Sequence, residues 1–345
     1  MLTFMILAHL SYVTNIWFMD THPHVFPLLC YVCLAALLHV TFGLLGINIL
    51  ARTGCLFTKL RKHNRVILAF LYAVAVTTVG FYNASLPPTV KHVNVPIRNL
   101  PHSMENMHIV QISDIHLGPT IGYHRLQGIV DIVNGLKPDI IVLTGDLVDG
   151  SANALKYAAM PLKQLKAKHS KYFVTGNHEY YTGDVDNWLK YLSELGFVLL
   201  HNQHAAVYSR EKPDDFIYIA GTDDIMADKI GYDGHGMRLA EAVQDCSDGH
   251  PVILLAHQPK AAKTALDSPL STNIELVLSG HTHGGQMFPF HLAVYFLNPF
   301  YRGLYVYKGK HVYVNEGTQF WGFPVRLGTT MEITDIALTM SNAKK

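Results

Sequence analysis

A chain of 345 residues has room for one large α/β domain with an appendage, or for two modest domains. Its 27 Lys and Arg against 26 Asp and Glu leave it near neutral, so charge gives no footprint for nucleic acid, and no such partner is expected. Apolar residues make up 49% and charged ones 15%, a balance too hydrophobic for an ordinary soluble protein and unevenly spread along the chain.

The apolar excess lies at the start. Runs at about 2–19, 25–50 and 66–86 are read as transmembrane spans within a membrane region 1–86. The second and third hold no formally charged residue, and at about 1.5 Å per residue each can cross a hydrocarbon core of about 30 Å. The first is shorter and is interrupted by His9 and Asn15. It has neither a basic leading segment nor a small-residue cleavage site, so it does not read as a signal peptide. The competing reading for all three is a buried core helix. Cys30 and Cys33 form a CxxC inside the second run, where they read as small buried residues rather than as ligands.

Between the second and third runs, Arg52, Lys59, Arg61, Lys62 and Arg65 make a basic loop. The positive-inside tendency puts that loop in the cytosol. An integral, multi-pass protein is the result, with the remainder of the chain on the lumenal or extracellular side. Residues 87–103 contain Pro87, Pro88, Pro96 and Pro101 and read as an extended linker or a lead-in strand, with the folded domain expected at 104–345.

In that domain short strand-type apolar runs alternate with helical patterns, such as Leu126, Ile129, Val130, Val133 and Leu136, which predicts an α/β fold. The residues just past each strand carry the chemistry. HIVQIS leads to Asp114 and His116, IIVLT to Asp146, YFVT to Asn177 and His178, VILLA to His257, and ELVLS to His281 and His283. In open α/β sheets ligands gather beyond the carboxyl ends of the strands, so these side chains are placed to converge. Each motif alone is more often structural; all five in the same position are hard to explain as packing. The donors are nitrogen and oxygen with no thiolate, which suits Mn, Fe or Zn. They are too many for one tetrahedral zinc. Two divalent or trivalent ions sharing a carboxylate, about 3.5–4 Å apart, account for the number and suit displacement at phosphorus.

DIHLG, GDLVDG, GNHEYY, AHQP and GHTHGGQ, in this order, resemble the calcineurin-like metallophosphoesterases, and the tail GGQMFPF…YRGLYVYKGKHVYVNEGTQFWGFPVRLG resembles their membrane-linked branch. The resemblance implies a two-sheet β-sandwich flanked by helices. It implies one metal held by Asp114, His116, Asp146 and His283, and a second held by Asp146, Asn177, His257 and His281. A water between the metals would be the nucleophile, and His178 would protonate the leaving oxygen or stabilise charge on the phosphoryl group. Asp149 stands where purple acid phosphatases have a ligating Tyr, so that branch is excluded, and Asp149 is expected to support the site from behind. Asp223 and Asp224 are candidates for the same role. Glu179, Tyr180 and Tyr181 are left outside the site.

Met287 to Tyr301 (MFPFHLAVYFLNPFY) is too apolar for an ordinary exposed loop. It is either an insertion buried on the sheet or a lip touching membrane or an acyl chain. The resulting expectation is a bilayer-anchored hydrolase of a phosphodiester or phosphomonoester, with a phospholipid or glycolipid among the candidate substrates. A nuclease is disfavoured by the neutral charge, and a transporter by spans lacking Asp, Glu, Lys and Arg. A catalytically retired metal-binding scaffold or receptor subunit is the alternative outside enzymes.

Overall fold

The computed structural model describes residues 2–18, 23–54, 56–246 and 249–341; Met19, at the close of the first expected span, and Cys55 lie outside them. Three helices lead the chain: α1 (Leu2–Trp17), α2 (Val25–Arg52) and α3 (Lys62–Ser85). Among the described residues, α2 and α3 are long and apolar enough to cross a membrane, and α1 is a shorter apolar helix.

Among the described residues twelve strands come next: β1 (Thr89–Ile97), β2 (His108–Ile112), β3 (Ile140–Thr144), β4 (Lys171–Val174), β5 (Phe197–Leu199), β6 (Gln203–Tyr208), β7 (Phe216–Gly221), β8 (Val252–Leu255), β9 (Ile274–Ser279), β10 (Gly303–Tyr307), β11 (Lys310–Val314) and β12 (Glu332–Met340). Between them lie α4 (Tyr123–Gly135), α5 (Ala152–Ala159), α6 (Asn177–Tyr181), α7 (Val185–Glu194), α8 (Ile225–Ile230), α9 (Leu239–Ala242), α10 (Pro259–Asp267) and α11 (Phe290–Leu297).

The strands form two six-stranded sheets, ordered β1-β12-β2-β3-β4-β5 and β10-β11-β9-β8-β7-β6. Ile109, Val142 and Val174 on one sheet face Ile219, Leu255 and Leu278 on the other across a buried apolar layer. The central strands are apolar on both faces because each is covered twice, by the opposite sheet on one side and by helices on the other. Val110, Ile141 and Leu143 meet Leu126, Ile129 and Val133 of α4 together with Trp188 of α7. Leu254 and Val277 meet Ala261, Ala262 and Ala265 of α10. The expected two-sheet sandwich flanked by helices is therefore present.

β2, β3 and β4 run parallel, with Ile112 opposite Leu143 and Thr144 opposite Val174. β7, β8 and β9 are also parallel. This register brings the carboxyl ends of β2, β3, β4, β8 and β9 level at one rim of the sandwich, which is where the chemistry-bearing residues sit.

The sheet begins earlier than residue 104. β1 pairs in parallel with β12 from Thr89 to Ile97, so most of the segment 87–103 is a sheet edge, the lead-in strand of the two alternatives. Lys91 of β1 reaches Glu332 Oε2 at 2.7 Å and Glu316 Oε1 at 2.5 Å, beneath which Glu332 is fully buried. The apolar helices also dock on the domain. The Arg326 N–H donates to the Gly80 carbonyl at 2.9 Å, and Asn83 Nδ2 donates to the Arg326 carbonyl at 3.1 Å. A Cβ at Gly80 would lie 2.4 Å from Val325 Cγ1, so glycine is what permits this approach.

Removing the cation from this edge leaves the Glu332 carboxylate buried without its counter-charge. Lys91→Met is expected to destabilise the domain by about 2 kcal/mol, a figure reduced for the half-exposed lysine, as read by chemical denaturation in detergent. A chain cut at Met104, which loses all of β1, should melt lower still; equal melting of cut and full chains would refute a structural role for β1.

Candidate metal centre

Five strand ends supply the site. After β2 come Asp114 and His116, after β3 Asp146, after β4 Asn177 and His178, after β8 His257, and after β9 His281 and His283. Asp114, His116, Asp146, His281 and His283 all have positive φ, between 49° and 72°. Left-handed backbone costs a non-glycine residue on the order of 1 kcal/mol or more, and such strain gathers where function over-determines geometry.

The side chains form two groups with donor atoms within 4.8 Å of one another: Asp114, His116 and His283 in one, Asp146, His257 and His281 in the other. Asn177 joins the second, its Oδ1 3.2 Å from His257 Nε2. Asp146 stands between them, with Oδ2 3.1 Å from His257 Nε2 and 3.9 Å from His116 Nε2. The structure thus brings all seven expected ligands together, with His178 beside them.

The hydrogen bonds around the imidazoles fix which nitrogen faces inward. His257 Nδ1–H donates to the Thr144 carbonyl at 2.7 Å, and His116 Nδ1–H donates to Asp149 Oδ1 at 2.8 Å. His283 Nδ1 lies 3.2 Å from the Gln319 carbonyl. The bonds of His257 and His116 turn Nε2 of each ring into the centre, and His283 Nδ1 also meets Arg326 Nη2 at 3.1 Å. Nε2 of His116 and Nε2 of His283 meet at 3.0 Å, where they share one proton or, in its place, a cation. Buried carboxylates at Asp114 and Asp146 complete a nitrogen and oxygen donor set that fits two metal ions.

Burial and the neighbouring charges set the protonation of these groups. Burial opposes the ionised form of Asp146, but His257 and His178 outweigh it and hold the acid well below its ordinary range. Burial also lowers His178, yet Asp146 and Asp149 overcome this and raise it to about 9. His281 is lowered to about 3, first by burial and then by His257. Asp114 is raised, chiefly by burial.

Asp149 Oδ1 accepts from both His116 Nδ1 and His178 Nδ1 at 2.8 Å, so one carboxylate orients both imidazoles. Asp224 lies behind His257, accepting from Gln258 Nε2 at 2.8 Å. Asp223 does not approach the centre: it accepts from His201 Nδ1 at 2.6 Å and from the Gly236 N–H at 3.1 Å in a separate hydrogen-bonded cluster with His235.

Glu179, which sequence reasoning leaves outside, is fully buried and braces the centre. Its carboxylate accepts from the N–H groups of Asp146 at 3.0 Å, Gly176 at 2.6 Å and Leu147 at 2.8 Å. Burial first, and Asp146 second, raise it to about 7. A signal for it exists: a glutamate three residues past Gly176 is the capping-box spacing for α6. Gly176 itself packs so tightly that a Cβ would fall 2.2 Å from Asp146 Oδ1. Arg326, buried in the tail, donates to the carbonyls of His283 at 2.7 Å and Glu316 at 2.9 Å, which no local pattern announces.

The centre opens into a cavity of about 460 Å³. His116, Asp146, Asn177, His178, His281 and His283 line its floor; Tyr181, Trp321, Phe323, Phe290 and Val294 are among its walls. Tyr181 thus borders the site, contrary to the expectation that it lies outside. The apolar stretch 287–301 divides: Met287 and Phe300 at its ends are buried, Phe300 against the sheet, whereas no residue of α11 is buried and Phe296 is 80% exposed.

A sandwich of two mixed sheets with these donors at its strand ends defines a metallophosphoesterase, and the profile of the calcineurin-like phosphoesterase family matches residues 107–285. The chain belongs to that family. It is 46% identical over 97% of its length to the transmembrane protein with metallophosphoesterase domain of Bos taurus, covering 79% of that protein. The protein of the same name in Danio rerio is 42% identical over 98% of this chain and 79% of its own length. Among solved structures, a 5'-nucleotidase precursor from Thermus thermophilus aligns with a TM-score of 0.40 at 16% identity, over 68% of this chain and 54% of that one.

Asp149→Asn keeps the shape of the side chain but removes the charge that aligns His116 and His178. We expect metal affinity or activity to fall about 10–100-fold, measured as metal content by mass spectrometry alongside turnover. Unchanged values for both would mean that Asp149 does not orient the centre.

Proposed function

We propose that this chain is a membrane-anchored, dinuclear metal-dependent phosphoesterase that hydrolyses a phosphodiester or phosphomonoester, including esters carried on a phospholipid or glycolipid. The observation that carries the reading is the convergence of two donor groups, Asp114, His116 and His283 in one and Asp146, His257 and His281 in the other, each with donor atoms within 4.8 Å, at the floor of an open cavity. In it Asp114, His116, Asp146 and His283 hold one ion and Asp146, Asn177, His257 and His281 the other, with Mn, Fe or Zn as candidates. Bound there, the ions would supply Lewis acidity toward the phosphoryl oxygens and lower the pKa of water.

The chain's own groups do the rest. Glu179 and Asp149 hold the loops and rings in register. His178 keeps a proton on its ring, oriented by Asp149, at the edge of the cavity. As water oxygen joins phosphorus and gives up a proton to solvent, the P–O bond to the leaving group breaks, the departing oxygen takes the His178 proton, and solvent restores it. In this reading the apolar helices α2 and α3 anchor the enzyme, and the basic loop between them supports a catalytic domain on the non-cytosolic side.

The test is hydrolysis of bis(p-nitrophenyl) phosphate and p-nitrophenyl phosphate by the full chain after Mn or Fe reconstitution. Activity should vanish on chelation and in Asp146→Asn. His178→Ala should lower kcat by about 10²–10⁴-fold while retaining both metals. Two bound metals with no turnover of either ester would leave a metal-binding scaffold and end the enzymatic reading.

A further inference from the structure

The cavity has two unlike ends. Its floor is the metal centre, while Phe290, Val294 and Phe323 form an apolar flank. That flank is shared with an apolar helix of the membrane region. Ala35 and Leu38 of α2 pack with Met287, Phe290, Phe323 and Val325 in one cluster. Phe42, a turn further on, meets the Phe290 ring edge-on with centroids 5.6 Å apart. The cavity wall and the face of α2 are therefore one continuous apolar surface.

The helix register gives this surface a depth. His39 Nδ1 lies 2.9 Å from Thr77 Oγ1, and Arg65 Nη1 donates to Asn48 Oδ1 at 3.1 Å, so α2 and α3 run antiparallel with those levels matched. Thr77 precedes the end of α3 at Ser85 by about eight residues, or about 12 Å of helix. Phe42 lies beyond His39 in the direction away from that end. With α3 spanning a bilayer up to Ser85, Phe290 sits below the level at which the helix emerges, within a hydrocarbon core about 30 Å thick. α11 then projects into the same layer. It carries no Asp, Glu, Lys or Arg, and Leu292, Tyr295, Phe296 and Leu297 are 51–80% exposed. Such a cluster is costly against water and is at home in acyl chains.

We propose that the phosphate ester cleaved here is carried by a membrane lipid, whose hydrocarbon chains stay beside α11 and α2 while its phosphate reaches the metal centre directly from the bilayer. The inference rests on the phosphoesterase reading and adds the substrate class and its route. A lipid arriving this way keeps its chains in hydrocarbon and moves only the headgroup past Phe290, Val294 and Phe323. A small aqueous ester gains nothing from that flank.

The experiment uses the full chain, metal-loaded, in phosphatidylcholine vesicles, with bis(p-nitrophenyl) phosphate turnover as the readout. Dihexadecyl phosphate at a few mole per cent of the lipid is compared with dimethyl phosphate in solution, and oleic acid at the same mole fraction controls for surface charge. Dihexadecyl phosphate is expected to inhibit at a bulk concentration about 100-fold or more below that of dimethyl phosphate, with oleic acid inert. Phe290→Ser, and independently the outward-facing Leu297→Ser, should each weaken that inhibition by about tenfold relative to inhibition by dimethyl phosphate. Equal potency of the two phosphates, or an advantage that survives both substitutions, would overturn the lipid route and leave the phosphoesterase standing. No metal-dependent turnover of the chromogenic ester would remove the phosphoesterase reading itself, and the inference with it.

Discussion

Asp146 is only 2% exposed, and its ionised carboxylate has to be met by groups arriving from three other strands. His257 approaches from β8, the His178 N–H from β4 at 2.9 Å, and His116 from β2. An isolated buried carboxylate costs several kcal/mol, so the fold has to deliver these partners together or not at all. The level strand ends, the positive φ of Asp114, His116, Asp146, His281 and His283 and the tight Gly176 turn all serve that delivery. The strain in the ligand backbone is tolerable because Glu179, itself fully buried, accepts from three backbone N–H groups around Asp146. The bracing carboxylate is thus as much a condition of the centre as the ligands.

The same constraint explains the electrostatic pattern. Where carboxylates are crowded with imidazoles and shielded from water, each group's protonation is set by its neighbours. His257 is raised well above its ordinary value by Asp146 and Asp114 despite burial, whereas His283 falls well below it through burial and the Arg326 guanidinium. The two histidines are driven in opposite directions because His257 faces carboxylates and His283 faces a guanidinium.

The legible part of the site owes its legibility to locality. Asp114, His116, Asp146, Asn177, His257, His281 and His283 each come within a few residues of a strand end, so their chemistry and position can be read from a short window. Glu179 is legible too, by its spacing from Gly176, but its flanking tyrosines make the segment look like ordinary loop. Arg326, Trp321 and Phe323 come from the irregular tail between β11 and β12, and only tertiary packing brings them to the cavity. Pro96 and its neighbours leave the segment 87–103 open in sequence between a linker and a lead-in strand. β1 is an edge strand, where a missing N–H is harmless and proline is tolerated. The stretch 287–301 stays open because a segment apolar on every side has no pattern to say which face is buried.

The exposed α11 and the docked apolar helices have a common explanation in where the site must sit. A tether alone would need only a flexible connection between α3 and the domain. Here Leu86 leads almost at once into β1, Arg326 bonds the backbone of Gly80, and Arg125 bonds the carbonyl of Ala84. At the other helix the His24 N–H donates to the Pro119 carbonyl at 3.0 Å. These bonds fix the domain's orientation against the helix pair instead of letting it swing. A fixed orientation matters when the entrance has to face one particular surface. The entrance that results is the one bounded by Phe290 and Val294, beside the helix that carries Ala35, Leu38 and Phe42.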